Sequence, residues 1–175
     1  MSKTKTPRES FIQTTELVLP NDTNTLNHMM GGRMMHLMDI VAALSAQKFS
    51  NRIVVTASVD NLSFKSPIKL GSCVTIQAMV TRSFNSSMEV HVVAYAEDLQ
   101  QQIVNKSNEA FFTFVAVDQV GRPIDVPQVA PETEEDKRLY DGAQRRRQLR
   151  LVLAGRMKPE EATELKSIFD IKLGV

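Results

Sequence analysis

The chain of 175 residues is poor in the residue types that mark several classes of protein. Its single cysteine, Cys73, excludes an internal disulfide and is typical of a reducing compartment, so a cytoplasmic location is expected. Tryptophan is absent, and a net charge of +1 gives no bulk attraction to nucleic acid or to an anionic membrane. The first ten residues lack the apolar stretch of a secretory signal, and charged residues interrupt every long apolar run. We therefore expect a globular protein that binds neither nucleic acid nor a membrane.

One stretch is instead unusually apolar, and it begins at Gly31-Gly32. From Arg33 to Phe49 the apolar residues leave almost no polar face, which predicts a central helix surrounded by other protein. Asp39 is the lone carboxylate of that helix. An ionised carboxylate in apolar surroundings is costly unless it is paired or hydrogen-bonded, so Asp39 is a candidate functional residue.

Asn24 lies just upstream, in a loop of turn-forming residues. An amide side chain, a carboxylate and the free N–H groups of a helix start at Gly31-Gly32 together suit attack on a polarised carbonyl. Each also has an ordinary explanation. The glycines could be a flexible helix entrance, Asn24 a turn or cap residue, and Asp39 a structural acid paired with His36 one turn earlier.

Alternating apolar and polar residues predict a strand before this helix and about four strands after it. Short turns join the later strands, which indicates antiparallel pairing and an α+β fold with a curved sheet around one helix. We expect residues 1–9 to be disordered, 10–121 to form the main domain, 122–131 to be a linker and 132–175 a helical extension. The extension carries an arginine cluster at residues 145–150, which we interpret as a solvated face or subunit salt bridges; nucleic acid, lipid and phosphate binding are alternatives.

Several separated motifs carry a resemblance to a known family: LPNDTN, MMGG, MMHLMD, VVTASVDNLSFKSPIKLG and SSMEVHV. Across about residues 10–120 the chain resembles the hotdog-fold acyl-CoA thioesterases of the cytosolic brain-type and bacterial short-chain group. The resemblance implies a homo-oligomer, a dimer at least and a trimer of dimers beyond it. Each active site would then lie at a dimer interface, with Asn24 from one chain and Asp39 from its neighbour. One position departs from the family, because Asn27 stands where a glycine is usual.

The resemblance implies hydrolysis of acyl-CoA to a free fatty acid and CoA, with Asn24, Asp39 and Gly32 as the catalytic residues. Asp39 would act as general base or as nucleophile, the Gly32 N–H would polarise the thioester carbonyl, and Asn24 would orient the water or the carbonyl. Substrate-binding residues are expected at Gly31, Thr56, Arg82, Ser86 and Ser87, although Ser86-Ser87 could equally be a plain hairpin turn. The candidate residues for setting acyl chain length are Met34, Met38, Phe64 and Phe112.

No metal or other cofactor is expected, because the three histidines lack ligand spacing and CoA is part of the substrate. Two other functions stay open. The first is a non-catalytic, regulatory acyl-CoA-binding module. The second is a dehydratase or hydratase in which His28 or His36 works with an aspartate.

Overall fold

A computed structural model describes residues 4–170 of the chain, which divides into two compact units, Met1–Ala130 and Pro131–Val175. The first unit contains one long helix, α1 (Gly31–Ser50), and seven strands. The strands are β1 (Thr4–Lys5), β2 (Ile12–Leu17), β3 (Ile53–Phe64), β4 (Cys73–Ser83), β5 (Ser87–Asp98), β6 (Ile103–Val117) and β7 (Gln128–Val129).

Five strands form one antiparallel sheet in the order β2-β4-β5-β6-β3. Successive side chains of a strand point to opposite faces, and one face of each central strand is apolar. The apolar side chains on that face are buried, and α1 packs across all five strands. They include Val74, Ile76, Ala78 and Val80 of β4, Val90, Val92 and Ala94 of β5, and Ala110, Phe112 and Phe114 of β6. The predicted α+β arrangement of about five strands on one helix is confirmed.

Helix α1, for which the apolar run predicted other protein on all sides, packs on the sheet with one side and leaves the other side open in the single chain. Met34, Met38 and Phe49 are buried against the sheet. Ile40 and Leu44 lie on the other side and remain 42% and 43% exposed. The neighbouring edge strand β3 also exposes apolar side chains, among them Ile53 and Val55. Ile53 and Val55 alternate with Thr56, which contacts α1, so they lie on the other face of the sheet. The single chain therefore leaves apolar side chains uncovered on the outer side of α1 and, separately, on the edge strand β3.

Residues 4–10 form a short strand and a 3-10 turn, although disorder was predicted for residues 1–9. Strand β1 pairs in parallel with β7, inside the predicted linker, and residues Pro7–Ser10 form a 3-10 turn. The buried Lys5 ammonium donates hydrogen bonds to the carbonyl oxygens of Lys48 (3.2 Å) and Phe49 (2.6 Å) at the end of α1. A cation stabilises the free carbonyls of a helix C-terminus, which is why a polar segment is held here. Residues 1–3 lie outside the described range.

A three-residue charge network lies on strands β5 and β6. The Glu109 carboxylate is 2.8 Å from both His91 Nε2 and Lys106 Nζ. Partial burial raises the pKa of Glu109, but hydrogen bonds from Lys106 and His91 outweigh it and lower the pKa to about 2. Glu109 is therefore ionised at any ordinary pH.

The second unit contains α2 (Glu134–Leu153) and α3 (Thr163–Asp170). The start of α2 has a reciprocal cap, because Asp136 N–H donates to Thr133 Oγ1 (3.1 Å) and Thr133 N–H donates to Asp136 Oδ2 (2.9 Å). The two helices are joined where Leu165 N–H donates to Gln148 Oε1 at 3.0 Å. Within residues 4–170, no helix is long and apolar enough to cross a membrane.

Candidate active site

Asn24 lies in a tight, self-bonded loop between β2 and α1. Its backbone N–H donates to the His28 carbonyl at 2.8 Å. Its side-chain oxygen Oδ1 accepts from the backbone N–H groups of Leu26 (2.9 Å) and His28 (3.2 Å). In the described part of the chain, the side-chain nitrogen Nδ2 has no hydrogen-bond partner. The loop thus fixes the amide and leaves Asn24 only as a donor to a ligand.

Asn27 closes this loop in the left-handed backbone region, with φ of +55°. Its N–H donates to the Asn24 carbonyl (2.9 Å), and its own carbonyl accepts from Leu70 N–H (2.9 Å). Left-handed backbone favours glycine, and asparagine is among the few other residues that adopt it readily. The departure at Asn27 therefore keeps the turn that a glycine would form.

An ion pair ties the loop to the first turn of α1. Asp22 Oδ1 accepts from Arg33 Nε at 2.8 Å, and Asp22 Oδ2 accepts from Leu19 N–H at 3.0 Å. The pKa of the Asp22 carboxyl is lowered. The hydrogen bond from Leu19 N–H lowers it most, burial raises it, and the Arg33 guanidinium lowers it further. Met30 N–H donates to the Asp22 carbonyl at 2.8 Å. Asn24 is therefore held in a fixed position relative to the helix start.

The start of α1 presents backbone N–H groups without a side-chain cap from Met30, the N-cap residue. The first intrahelical bond recorded here runs from Met34 N–H to the Met30 carbonyl, so the N–H groups of residues 31–33 have no intrahelical acceptor. A Cβ on Gly32 would meet nothing within 4 Å, whereas one on Gly31 would lie 3.2 Å from the Phe64 ring. Gly32 thus leaves its N–H approachable, and Gly31 makes room for an aromatic side chain.

A cleft of about 280 Å³ lies beside this helix start. It is lined by Asn24, His28, Met29, Met34, Phe64, Lys65, Ser66, Pro67, Ile68 and Asn108. Two of the four residues considered for chain length, Met34 and Phe64, line it, while Met38 and Phe112 are buried core residues outside the lining. Two lining residues were not predicted: Asn108, which precedes the apolar run of residues 110–117, and Lys65, which lies within the VVTASVDNLSFKSPIKLG motif but was given no role.

Asp39 lies away from that cleft. It follows Gly31 by eight residues, which corresponds to about 12 Å along a helix. The half-buried carboxylate accepts a hydrogen bond from Thr56 Oγ1 on β3, at 2.9 Å to Oδ1. Within residues 4–170 the Asp39 carboxylate is therefore hydrogen-bonded to Thr56 and not to His36, whose side chain is exposed. Thr56 holds one carboxylate oxygen, and the other is left for a ligand.

The remaining predicted residues lie near the Asp39 end of the sheet. Ser87 pairs with Val115 of β6, which pairs in turn with Val55 of β3, next to Thr56. Two strand spacings, about 10 Å, therefore separate this row of β3 from the Ser86-Ser87 turn. The turn is a hairpin in which the carbonyls of Ser86 and Ser87 accept backbone N–H groups. Arg82 stacks on Phe84, with its guanidinium carbon 5.7 Å from the ring centre.

The single chain therefore builds two half-sites. The first, the amide half-site, consists of Asn24, Gly31, Gly32 and the cleft. The second, the carboxylate half-site, consists of Asp39 and Thr56, with the Ser86-Ser87 turn toward the same end of the sheet. The roles of these residues stay predictions.

Comparison with known proteins identifies the family. A model described as the thioesterase superfamily matches residues 26–103. An uncharacterised acyl-CoA thioester hydrolase of Bacillus subtilis is 39% identical over 144 residues, which are 82% of this chain and 84% of that protein. The chain belongs to the hotdog acyl-CoA thioesterases.

Solved structures of this thioesterase family share its fold. An apo-hexameric acyl-CoA thioesterase is 41% identical with a TM-score of 0.84, over 87% of this chain and 97% of that one. An acyl-CoA hydrolase of Staphylococcus aureus, solved with butyryl-CoA and CoA, is 34% identical with a TM-score of 0.76, over 97% of each chain. The predicted hotdog fold and the assignment to the thioester hydrolases are confirmed.

Three variants of the Staphylococcus aureus acyl-CoA hydrolase repeat a spacing found in this thioesterase. In them an asparagine, an aspartate and a threonine are each replaced by alanine, and successive positions are 15 and 17 residues apart. Asn24, Asp39 and Thr56 have the same residue types at the same separations. The two chains therefore share these three residue types and their spacing, and in this chain the three residues belong to the two half-sites.

Proposed function

We propose that this protein hydrolyses acyl-CoA thioesters to a free fatty acid and CoA, using one amide half-site and one carboxylate half-site. The observation that carries the proposal is the pair of fixed, complementary groups: a donor-only amide at Asn24 and a carboxylate at Asp39 with one free oxygen. The family membership and the CoA complexes of the Staphylococcus aureus relative support the substrate class.

The amide half-site would polarise the thioester carbonyl. Because Asn24 Oδ1 is already bonded to its own loop, Nδ2 is left to donate to the carbonyl oxygen. The Gly32 N–H, beside open space at the helix start, would supply a second donor together with the positive end of the helix dipole. Donors aimed at the oxygen where negative charge develops lower the barrier to attack on the carbonyl carbon.

The carboxylate half-site would either activate the attacking water or itself supply the attacking oxygen. As a general base, Asp39 Oδ2 takes a proton from water while the water oxygen bonds to the thioester carbon; the C–S bond then breaks, and the CoA thiolate takes up a proton. As a nucleophile, Asp39 Oδ2 bonds to the thioester carbon, the C–S bond breaks and the CoA thiolate leaves and takes up a proton; water then hydrolyses the mixed anhydride to the fatty acid and the free Asp39 carboxylate. Rapid quenching followed by mass spectrometry separates the two routes, since only the second leaves an acyl adduct on Asp39.

A complete site requires two copies of the chain. Within one chain, Asp39 lies outside the cleft that contains Asn24. The uncovered apolar side of α1, with Ile40 and Leu44, flanks Asp39, and β3, which carries Thr56, is a sheet edge with pairing groups available. A twofold dimer that covers this surface would place Asp39 of one copy toward Asn24 of the other. The hexameric relatives support assembly of three such dimers.

Subunit complementation tests the proposal directly. Asn24→Ala and Asp39→Ala should each lose most thioesterase activity while the oligomer stays intact, measured as thiol release across an acyl-CoA chain-length series. Co-expression of the two inactive variants should restore activity at about one quarter of the sites. Half of randomly assorted dimers are mixed, and each mixed dimer has one intact site. No recovery in verified mixed dimers would reject the two-chain site.

The same assay addresses the regulatory alternative. If the wild-type protein binds acyl-CoA tightly and releases no thiol at any chain length, it is a binding module and the hydrolase proposal fails. The dehydratase alternative would require a histidine near the reacting carbon. His28 lines the cleft and His36 does not, so of the two histidines only His28 could work with Asp39 in a dehydratase reaction. Family membership favours hydrolysis.

A further inference from the structure

One polar side chain of the cleft has no part in the chemistry proposed above. Asn108 lines the cleft with Asn24 and is only 1% exposed. It belongs to the row of alternate β6 residues that faces α1, in which Ala110, Phe112 and Phe114 are all apolar. A buried amide at the end of an otherwise apolar row calls for a specific partner.

The orientation of this amide is fixed. Asn108 Nδ2 donates to the Ser63 carbonyl of the neighbouring strand at 3.0 Å. A carbonyl can only accept, so the nitrogen faces Ser63 and the oxygen Oδ1 faces away from it. The pairing of β5 with β6 shifts register between Asn108 and Lys106, which leaves Ser107 as the extra residue of a bulge. Bulges of this kind commonly re-aim a side chain beside a functional site.

The side-chain oxygen is the part of Asn108 that remains for a ligand. In the part of the chain that the structure describes, Oδ1 accepts no hydrogen bond. The oxygen is not among the fully buried, unpartnered side-chain atoms of the described residues, so it can be reached from the cleft, and a ligand that supplies an N–H or O–H can bond to it in place of water. The cleft therefore offers Asn24 Nδ2 as a donor and Asn108 Oδ1 as an acceptor.

We propose that Asn108 Oδ1 accepts a hydrogen bond from an amide N–H of the pantetheine arm, which makes Asn108 a specificity-determining residue for the thiol portion of the substrate. The inference rests on the proposed function and names which part of the thioester enters the cleft. A simple acyl chain and its carbonyl carry no N–H or O–H. The nearest donors to the sulfur are the amide N–H groups of the pantetheine arm. Met34, Phe64 and Ile68, which also line the cleft, suit the alkyl segments between these polar groups.

The test compares two small thioesters that differ by one donor. S-butyryl-N-acetylcysteamine keeps the first amide of the arm, and 2-acetoxyethyl thiobutyrate replaces that N–H with an oxygen. We expect the wild-type protein to prefer the amide in kcat/KM by about tenfold or more, since a site built to pair with a donor rejects the analogue that lacks it. In Asn108→Leu and Asn108→Ala this preference should fall to about threefold or less.

A purely structural role for Asn108 predicts a different result. Loss of the bond to Ser63 would lower kcat/KM for both thioesters equally and leave the preference unchanged. Met34→Leu, a volume-conserving change in the same cleft, is the matched control and should keep the wild-type preference. An unchanged preference in the folded Asn108 variants overturns the inference. A wild-type preference near one also overturns it, even if neither Asn108 variant folds.

Failure of the proposed function gives a distinct outcome. If the wild-type protein hydrolyses neither butyryl-CoA nor the two analogues, the hydrolase proposal fails. The Asn108 inference is then read from calorimetric dissociation constants of the same two analogues, for which the same tenfold preference is expected. Equal dissociation constants would reject it.

Discussion

Replacement of Thr56 by valine should reduce turnover without changing the fold. The valine keeps the branched shape that suits strand β3 and removes the hydroxyl that donates to Asp39 Oδ1 at 2.9 Å. A hydrogen bond to a charged group contributes about 1.5–3 kcal/mol. Thr56 is exposed in the single chain, so we expect the lower end of that range. Since about 1.4 kcal/mol corresponds to a factor of ten in rate, kcat should fall roughly tenfold.

The pattern across kinetic constants distinguishes positioning of Asp39 from substrate binding. Loss of positioning lowers kcat for butyryl-CoA and leaves KM within about twofold, because the bond matters most when charge moves in the transition state. Thr56→Ser keeps the hydroxyl and should recover most of the activity, while Asp39→Asn should be far less active than either. A Thr56→Val enzyme with wild-type kcat, or one whose loss lies wholly in KM, would refute the reasoning.

Three further predictions concern the loop, the helix start and the charge network. Asn27→Gly should leave the free energy of unfolding nearly unchanged. Asn27→Val should lower it by about 1–2 kcal/mol and reduce kcat, because a branched residue resists a φ of +55°. Equal melting temperatures for the two variants would contradict this. Gly32→Ala should keep or raise the melting temperature, since alanine favours helix, yet lower kcat/KM about tenfold because its methyl group fills the approach to the N–H. Because the pKa of Glu109 is lowered in the folded protein, its ionised carboxylate contributes fully to stability above about pH 4.5. This contribution is lost as pH falls toward about 2. Glu109→Gln should therefore flatten acid denaturation over that window, and an unaltered acid transition would argue against it.

Local patterns in the sequence predicted most of the fold. The alternation along β4 and β5 and the apolar run of α1 specify elements whose partners are close in sequence. The left-handed turn at Asn27 was not predicted, since the sequence showed only a departure from the usual glycine, but asparagine tolerates the region that the loop requires. Strand β6 begins at Ile103, whereas the apolar run that predicts a strand in this part of the sequence starts only at Ala110. The bulge at Ser107 interrupts the alternation there, so the periodic signal starts late.

Features that depend on distant contacts could not be read from local patterns. Lys5 belongs to a two-residue strand and bonds to residues more than 40 positions away. A strand this short has no periodic pattern from which its position could be predicted. The exposed side of α1 also carries large apolar side chains, among them Ile40 and Leu44, and composition does not say whether another part of the chain covers them. The separation of Asn24 from Asp39 is likewise a property of the folded chain.

The uncovered apolar side chains of α1 and β3 have a consequence for how this protein behaves at low concentration. If a second copy is what shields Ile40, Leu44 and Ile53, association and folding are one equilibrium, and the melting temperature climbs with protein concentration. A dilute preparation would then lose its working sites and its resistance to heat together, and crowding many copies into one place would restore both.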